Sequence, residues 1–127
     1  MWVDVEDFRA AIAEAARVLR SGGQLVAANL SFITASERWT RAPDGRRLFR
    51  PVDRYVEERP ITFNWRGHEL TNWHRPLSAC MDAYLSSGLT LRRYLEPVPD
   101  EKSLRDDPRF EDWFRVSEFT VMRWEKP

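Results

Sequence analysis

Two histidines are the side chains of this sequence best suited to acid–base chemistry. His74 stands directly before Arg75, and an unperturbed pKa near neutrality would let it act as a general base or a substrate contact. The alternative is that His74 packs at the start of the following helix and hydrogen-bonds backbone there. His68 lies in a predicted turn, where a solvated side chain is the simpler interpretation. Arg75 offers a guanidinium fork that could clamp a substrate carboxylate or pair with Glu69.

Further side chains are candidates for binding rather than for proton transfer. Asn29 interrupts an apolar run near the carboxyl end of a predicted strand, where open α/β sheets place their ligands; otherwise its amide satisfies neighbouring backbone. Trp65 and Trp73 could line an aromatic pocket, or serve as core or dimer contacts. Cys80, the one cysteine, falls in a helical apolar pattern that favours a small buried side chain over a nucleophile. No Cys/His cluster has metal-ligand spacing, so we predict no metal site.

The elements that would position these residues alternate between helix and strand. Apolar residues three and four apart predict a helix over 4–20, which Gly22 and Gly23 end. The run 24–30 is apolar almost throughout, which predicts a strand covered on both faces, as in α/β sheets. Its edge would stay unpaired unless a partner covers it. The later elements are a helix over 76–88, a strand over 89–96, a short helix over 109–114 and a strand over 119–124.

The long segment 31–75, rich in tryptophan and arginine, interrupts this alternation. Apolar positions over 61–65 and 70–73, separated by turn residues at 66–69, predict a β-hairpin. An excursion of this length is typical of a lid, a binding loop or an interface. We therefore describe the chain as a single domain over 1–127 with a lid or hairpin insertion over 31–75.

Composition bears on partners and location. Twenty lysines and arginines balance twenty acidic residues, so no basic field attracts a phosphate backbone and we expect no nucleic-acid partner. No apolar run approaches the roughly 20 residues of a membrane span, so we expect no membrane partner. The single cysteine and the acidic first residues, which do not resemble a signal peptide, favour a cytoplasmic location.

Several segments resemble one enzyme family in collinear order. The junction over 16–26, with Leu-Arg-Ser-Gly-Gly at 19–23, is similar to the "LRPGG" stretch that enters the fifth strand of small-molecule, class I S-adenosylmethionine-dependent methyltransferases. The segment 74–89 resembles the helix that leads those enzymes into their sixth strand, and 95–97 and 119–127 resemble the ends of their sheet. The chain thus resembles the C-terminal half of such an enzyme. This implies a partial Rossmann-like α/β sheet of the fifth, sixth and seventh strands, the last pair antiparallel, with flanking helices and a β-hairpin insertion.

The resemblance also implies a site. The family builds its substrate side from the end of the fifth strand, the insertion and the last connection, which on this chain gives Asn29, Ser31, Trp73 and His74 as substrate-binding residues. The catalytic group is unknown, with His74 as the candidate. The family's glycine-rich cofactor turn has no counterpart, since the five glycines include no pair spaced G-x-G. We therefore assign no cofactor-binding residue and expect this chain alone not to bind S-adenosylmethionine.

This departure from the family leaves two hypotheses. In the first, the chain is the substrate-side portion of a methyltransferase for a small molecule, completed by a complementary N-terminal half. In the second, it is a non-catalytic, self-associating module derived from a methyltransferase that binds a ligand or a protein, and it forms a homo-oligomer. Whether the chain alone is an enzyme stays open at this point.

Overall fold

The computed structural model describes residues 2–30, 32–36, 38–107 and 110–127. A 3-10 turn at Trp2–Asp4 precedes helix α1 (Phe8–Val18) and strand β1 (Gln24–Leu30). After a second 3-10 turn at Phe32–Ala35, the chain forms β2 (Thr40–Arg41), β3 (Arg47–Phe49), β4 (Arg59–Trp65) and β5 (His68–His74). The remaining elements are α2 (Leu77–Ser86), β6 (Thr90–Leu95), α3 (Glu101–Asp106), α4 (Glu111–Arg115) and β7 (Phe119–Glu125).

The main sheet has three strands in the order β1-β7-β6. Strand β7 is antiparallel to both neighbours, so β1 and β6 run in the same direction without touching. The predicted antiparallel last pair is confirmed, and so is the mixed α/β class. The last strand enters between the two others, which places the carboxyl ends of β1 and β6 and the start of β7 at one edge of the sheet.

One face of this sheet carries the hydrophobic core. Trp124 of β7 is fully buried and lies opposite Leu25 of β1 and Leu91 of β6. Helix α1 adds its buried Phe8 and Ile12, which are four residues apart and so lie on one side of the helix. Helix α2 covers the same face. We call this face and its two helices the core.

The opposite face of the sheet is open, contrary to the sequence prediction that β1 is covered on both sides. Val26 is 64% exposed, and Gln24 and Ala28 on the same side of β1 are exposed as well. The prediction was wrong because α1 and α2 both pack on the core side, so no helix among the described residues lies over these positions of β1. An apolar residue such as Val26 is nevertheless typical of a strand whose faces are both covered.

The turn between α1 and β1 shows why two glycines stand there. Gly22 adopts φ +73°, and a Cβ at Gly23 would lie 2.7 Å from the carbonyl oxygen of Arg20. The backbone N–H of Gly22 donates to the carbonyl of Lys126 at 2.8 Å. The Lys126 ammonium in turn donates to the carbonyl of Ala16 at 2.9 Å, which satisfies a free acceptor at the end of α1. The end of β7 thus closes over the end of α1.

The strands β4 and β5 form the predicted hairpin, which we call the arm (residues 59–74). Arg66 and Gly67, at φ 52° and 84°, make a two-residue turn of the kind that matches strand twist. The turn is thus shorter than the predicted 66–69, and His68 opens β5, paired with Trp65. Most of the arm is exposed, while its base, ending at the buried His74, packs against the 3-10 turn Trp2–Asp4.

Candidate functional site

A cavity of about 100 Å³ lies at the sheet edge where β1 and β6 end. Asn29 and Leu30 close β1, Tyr94 and Glu96 stand at the end of β6, and Thr120 stands near the start of β7. Carboxyl ends of strands in open α/β sheets are where ligands bind. Ala27 of β1 and Met122 of β7 also line the cavity, and the other lining residues come from the segments packed over this edge: Trp2, Tyr55, Arg75, Leu77, Cys80 and Tyr84.

Four aromatic rings dominate the lining: Trp2, Tyr55, Tyr84 and Tyr94. The indole N–H of Trp2 donates to the hydroxyl of Tyr84, and Tyr84 stacks on Trp124 with ring centroids 4.5 Å apart and an interplanar angle of 17°. Burial raises the pKa of Tyr84 to about 12, so this phenol is neutral at physiological pH. Two of the four rings are thereby fixed by a hydrogen bond to each other and by stacking on the core.

The polar end of the cavity is formed by Tyr94 and Glu96. The Tyr94 hydroxyl donates to Glu96 Oε1 at 3.4 Å. Burial raises the pKa of Tyr94, and the neighbouring Glu96 carboxylate raises it further. Tyr94 therefore remains a neutral donor, and an exposed carboxylate stands beside it at the mouth of the cavity.

His74 lies behind the cavity wall and is 1% exposed. Its Nε2 lies 2.7 Å from the Tyr55 carbonyl oxygen and its Nδ1 lies 2.6 Å from Thr34 Oγ1. A carbonyl only accepts, so Nε2–H donates to it, and the Thr34 hydroxyl donates to Nδ1. Burial lowers the pKa of His74, which keeps the ring neutral. Both ring nitrogens of His74 thus have hydrogen-bond partners, the Tyr55 carbonyl and the Thr34 hydroxyl, and neither nitrogen is left to contact a ligand in the cavity.

This histidine holds the Tyr55 segment against α2. The Tyr55 hydroxyl accepts a hydrogen bond from the backbone N–H of Leu77 at 2.9 Å, at the first turn of α2. The residue at the helix cap, Pro76, has no side chain that could do so. Thr34, His74 and Tyr55 therefore form a relay of hydrogen bonds that ends on the helix and sets the position of one aromatic wall.

The Arg75 guanidinium donates its hydrogen bonds to backbone carbonyl groups. Its two terminal nitrogens donate to the carbonyl oxygens of Trp2 at 3.0 Å, Val5 at 2.6 Å, Glu6 at 2.6 Å and Trp73 at 3.4 Å. These four bonds occupy the fork that a substrate carboxylate would need. Arg75 therefore fixes the segment before α1, and with it Trp2, rather than serving as the carboxylate clamp or the Glu69 partner considered from the sequence.

The four predicted substrate-binding residues lie in different places. Asn29 lines the cavity, where its Oδ1 accepts from the Val3 backbone N–H at 3.3 Å and its amide nitrogen has no partner among the described residues. Trp73 and His74 are neighbours of the cavity wall and are not among its lining residues. Ser31 lies outside the described residues.

Sequence reasoning missed the aromatic walls Trp2, Tyr55, Tyr84 and Tyr94 as a group. They are scattered along the chain, and only the fold brings them together. The available signal was the high aromatic content, 13% of residues, which does not say which rings meet. Cys80 also lines the cavity, and burial raises the pKa of its thiol, so the protonated form is favoured.

Other sites on the described part of the chain offer less chemistry. Its histidines, cysteine and carboxylates form no group that could hold a metal ion. No helix among these residues is long and apolar enough to cross a bilayer. A second cavity of about 150 Å³ lies between a proline-rich segment and three aromatic rings, lined by Pro97, Val98, Pro99, Ser103, Phe110, Trp113 and Phe119. None of these seven residues carries an acidic, basic or thiol side chain.

Comparison with known proteins supplies the fold family. No protein-family model matches the sequence, and no curated protein matches it. A Listeria monocytogenes protein described as an S-adenosylmethionine-dependent methyltransferase is 22% identical in sequence. Its structure superimposes with a TM-score of 0.89, over 100% of this chain and 58% of that protein. An S-adenosylmethionine-dependent methyltransferase from Mesorhizobium loti is also 22% identical, with a TM-score of 0.86 over 99% of this chain and 58% of its own.

A third similar structure is the glycopeptide N-methyltransferase MtfA in complex with S-adenosyl-L-homocysteine, 14% identical, with a TM-score of 0.51 over 98% of this chain and 49% of its own. This chain thus spans 58% of the length of the first two structures. Its helix-strand order and the antiparallel last strand inserted between the two others agree with the part that the sequence resemblance indicated. The chain therefore has the fold of the C-terminal part of class I S-adenosylmethionine-dependent methyltransferases.

Proposed function

We propose that this chain forms the substrate-binding side of an S-adenosylmethionine-dependent methyl-transfer site. The observation that carries the proposal is the cavity at the carboxyl ends of β1 and β6, in a fold shared over its whole length with methyltransferases. Asn29 is the predicted substrate contact that lines this cavity. Ser31 stays a predicted substrate contact in this proposal, and Trp73 and His74 contribute by holding Arg75 and Tyr55 in place.

The methyl donor does not fit the residues described here. The cavity measures about 100 Å³, well below the roughly 300–1,000 Å³ of pockets that hold drug-sized ligands. The sequence also has no G-x-G turn to hold the donor. In this proposal the cavity takes the methyl acceptor, and a different segment holds the donor. Methyl transfer then requires the acceptor to be held in line with the methyl group, which is the task of the cavity walls.

The test joins this chain to a donor-binding segment. A chimera would carry the portion of the Listeria monocytogenes protein that this chain does not match, followed by residues 1–127. Calorimetry with S-adenosylmethionine should show binding by the chimera and none by the chain alone. Turnover of labelled donor with a panel of small acceptors should be faster for the chimera than for the Listeria portion alone.

Matched variants focus this test on the cavity. Asn29→Ala should slow turnover of the chimera about tenfold or more, while Asn64→Ala, at the exposed tip of the arm, should leave it unchanged. Tight binding of S-adenosylmethionine by residues 1–127 alone would overturn the claim that the donor is held elsewhere. A folded, donor-binding chimera that turns over no faster than the Listeria portion would overturn the proposed function.

A second candidate is self-association through the sheet, and the open side of β1 favours it. β1 is an edge strand, and its face away from the core exposes Val26. Edge strands with unpaired backbone groups pair readily with a further chain. Sedimentation velocity should then show a concentration-dependent dimer that Val26→Lys weakens. A single monomeric species at high concentration would rule this candidate out.

A further inference from the structure

We propose that the cavity lined by Trp2, Tyr55, Tyr84 and Tyr94, with Glu96 at its mouth, binds a small organic ammonium group such as a methylated amine. The binding site follows from the cavity itself. The further identification of this ligand with the methyl acceptor rests on the proposed function and requires a primary, secondary or tertiary amine: its ammonium form loses the proton to water at the mouth of the cavity, the freed nitrogen lone pair takes the methyl group, and the donor leaves as the neutral sulfide.

The lining favours a cation over an anion. Aromatic ring faces attract ammonium groups, and three or four rings around one space form the cage that recognises methylated ammonium ligands. The Glu96 carboxylate adds a full negative charge at the mouth. The guanidinium of Arg75 is the opposing charge, and it is held by four backbone carbonyl oxygens and by the Phe8 ring, 4.2 Å from its central carbon. An anion would find that fork already occupied.

Three further side chains that line the cavity, Cys80, Tyr84 and Tyr94, are neutral. Burial raises the pKa of the Cys80 thiol and the pKa of Tyr84, so neither becomes an anion at physiological pH. Burial and the neighbouring Glu96 carboxylate also raise the pKa of Tyr94, so its phenol stays protonated as well. Among the described lining residues the charges are therefore Glu96 and Arg75, and of these only Glu96 faces the space with acceptor oxygens left for a ligand.

Size distinguishes a small head group from a flat aromatic ligand. An engineered apolar cavity of about 150 Å³ binds benzene, which has six heavy atoms. The cavity here is about 100 Å³ and takes a smaller group. A trimethylammonium or dimethylammonium group, with four or three heavy atoms, fits this limit, while the rest of such a ligand would extend past Glu96 into solvent.

The walls are fixed before any ligand enters, which lowers the entropic cost of binding. Trp2 and Tyr84 hydrogen-bond each other, and Tyr84 stacks on Trp124. Tyr55 is held by its bond to the Leu77 N–H. Tyr94 is held by Glu96. Each ring thus has a contact that fixes it independently of the ligand.

The experiment compares choline with its neutral carbon isostere, 3,3-dimethylbutan-1-ol, on the full chain. The two ligands have the same shape and differ by one positive charge. Because six tryptophans would confuse a fluorescence signal, binding is followed by saturation-transfer NMR on the ligand methyl protons. Choline should bind, and the affinity of the isostere should be at least about tenfold lower. Equal binding of the two ligands, or no binding of choline at a choline concentration of about 10 mM, would overturn the proposal.

Variants test the residues. Glu96→Gln keeps shape and removes the charge, and it should weaken choline binding about fivefold or more. Trp2→Leu should weaken it about tenfold, while Tyr94→Phe, which keeps the ring, should retain most of the affinity. Glu69→Gln and Trp65→Leu, on the exposed arm, are the matched controls and should have no effect. Circular dichroism checks that each variant is folded.

If folded Glu96→Gln and Trp2→Leu bind choline like the original chain, the site is not the one proposed. None of these measurements needs a methyl donor. A failure here therefore leaves the chimera assay intact, and a failure of that assay leaves the ammonium site intact.

Discussion

The core and the arm use the same kinds of residue in opposite ways. Trp124 in the core is 0% exposed and stacks on Tyr84, whereas Trp65 near the tip of the arm is 55% exposed and is covered mainly by the Arg66 guanidinium, 4.7 Å from its ring. Buried aromatic area stabilises the core, while the arm is held by its strand hydrogen bonds and a two-residue turn. Residue type alone therefore does not say where the stability of this chain lies.

The two regions meet at the base of the arm, next to the cavity, although no residue of the arm lines it. His74 is the last residue of β5 and bonds the Tyr55 carbonyl, while the next residue, Arg75, binds the carbonyl groups around Trp2. Two cavity walls are thus positioned by residues at the junction of arm and core. The exposed tip of the arm contributes none of the lining residues.

The largest expected effect tests the contrast between the two tryptophans. Trp124→Ala removes a fully buried indole and should lower the free energy of unfolding by about 3–5 kcal/mol. Trp65→Ala removes an exposed one and should change it by less than about 1 kcal/mol. Urea unfolding followed by circular dichroism measures both. Similar losses in the two variants would show that the arm is packed as tightly as the core.

The next effect concerns two arginines. Arg75→Gln removes donors from four carbonyl groups at the junction and should cost about 2–4 kcal/mol. Arg92→Gln removes an ion pair with Glu125, in which Arg92 is 47% exposed, and should cost at most about 1 kcal/mol. Thermal and urea unfolding give the two values. A loss below about 1 kcal/mol for Arg75→Gln would mean that solvent replaces these bonds and that the junction is not held by this side chain.

The sequence predicted the elements of the core well because their signals are local. The apolar spacing that includes Phe8 and Ile12 and the glycine pair at 22–23 act within one or two helical turns. The structure confirms the helix and the strand, but the helix begins at Phe8 rather than at residue 4, because Asp7 caps it and a separate 3-10 turn precedes it. The site was harder to predict, because its walls depend on contacts between distant segments such as Trp2 and Tyr84. The position of Asn29 at this edge could be predicted because a strand end is itself a local signal, and Asn29 lines the cavity, while its contact with a substrate stays a prediction. The open face of β1 was missed because residue type there indicates a covered strand, whatever covers it.

A third effect depends on pH and compares the two histidines. Burial lowers the pKa of His74 from its ordinary value of 6.5, so near and below that pH the unfolded chain binds a proton that the folded chain does not. The contribution of His74 is fully present above about pH 6.5 and is lost as the pH falls towards the folded-state pKa, with a slope of up to about 1.4 kcal/mol per pH unit.

Urea unfolding between pH 7.5 and pH 5 checks this slope. His74→Gln should flatten it, whereas His68→Gln, at an exposed position on the arm, should keep it. The carboxylates with lowered pKa values, such as Glu58, begin to protonate at lower pH and so contribute little in this window. An unchanged slope in His74→Gln would assign the pH dependence to another group and would remove the argument that a neutral His74 holds Tyr55.

The smallest expected effect is on hydrogen exchange, and it tests whether the arm and the core unfold as one unit. Gly67 in the arm and Gly88 at the end of α2 both have positive φ, +84° and +77°, and a Cβ at either would meet no atom within 4 Å. Replacing either with alanine therefore costs about 1 kcal/mol of backbone strain and no steric clash. If the arm opens separately, Gly67→Ala should speed hydrogen exchange about fivefold at arm amides alone, whereas Gly88→Ala should speed it throughout the sheet β1-β7-β6. Faster exchange in that sheet caused by Gly67→Ala would show one cooperative unit, and opening of the arm could then not occur while the cavity walls stay in place.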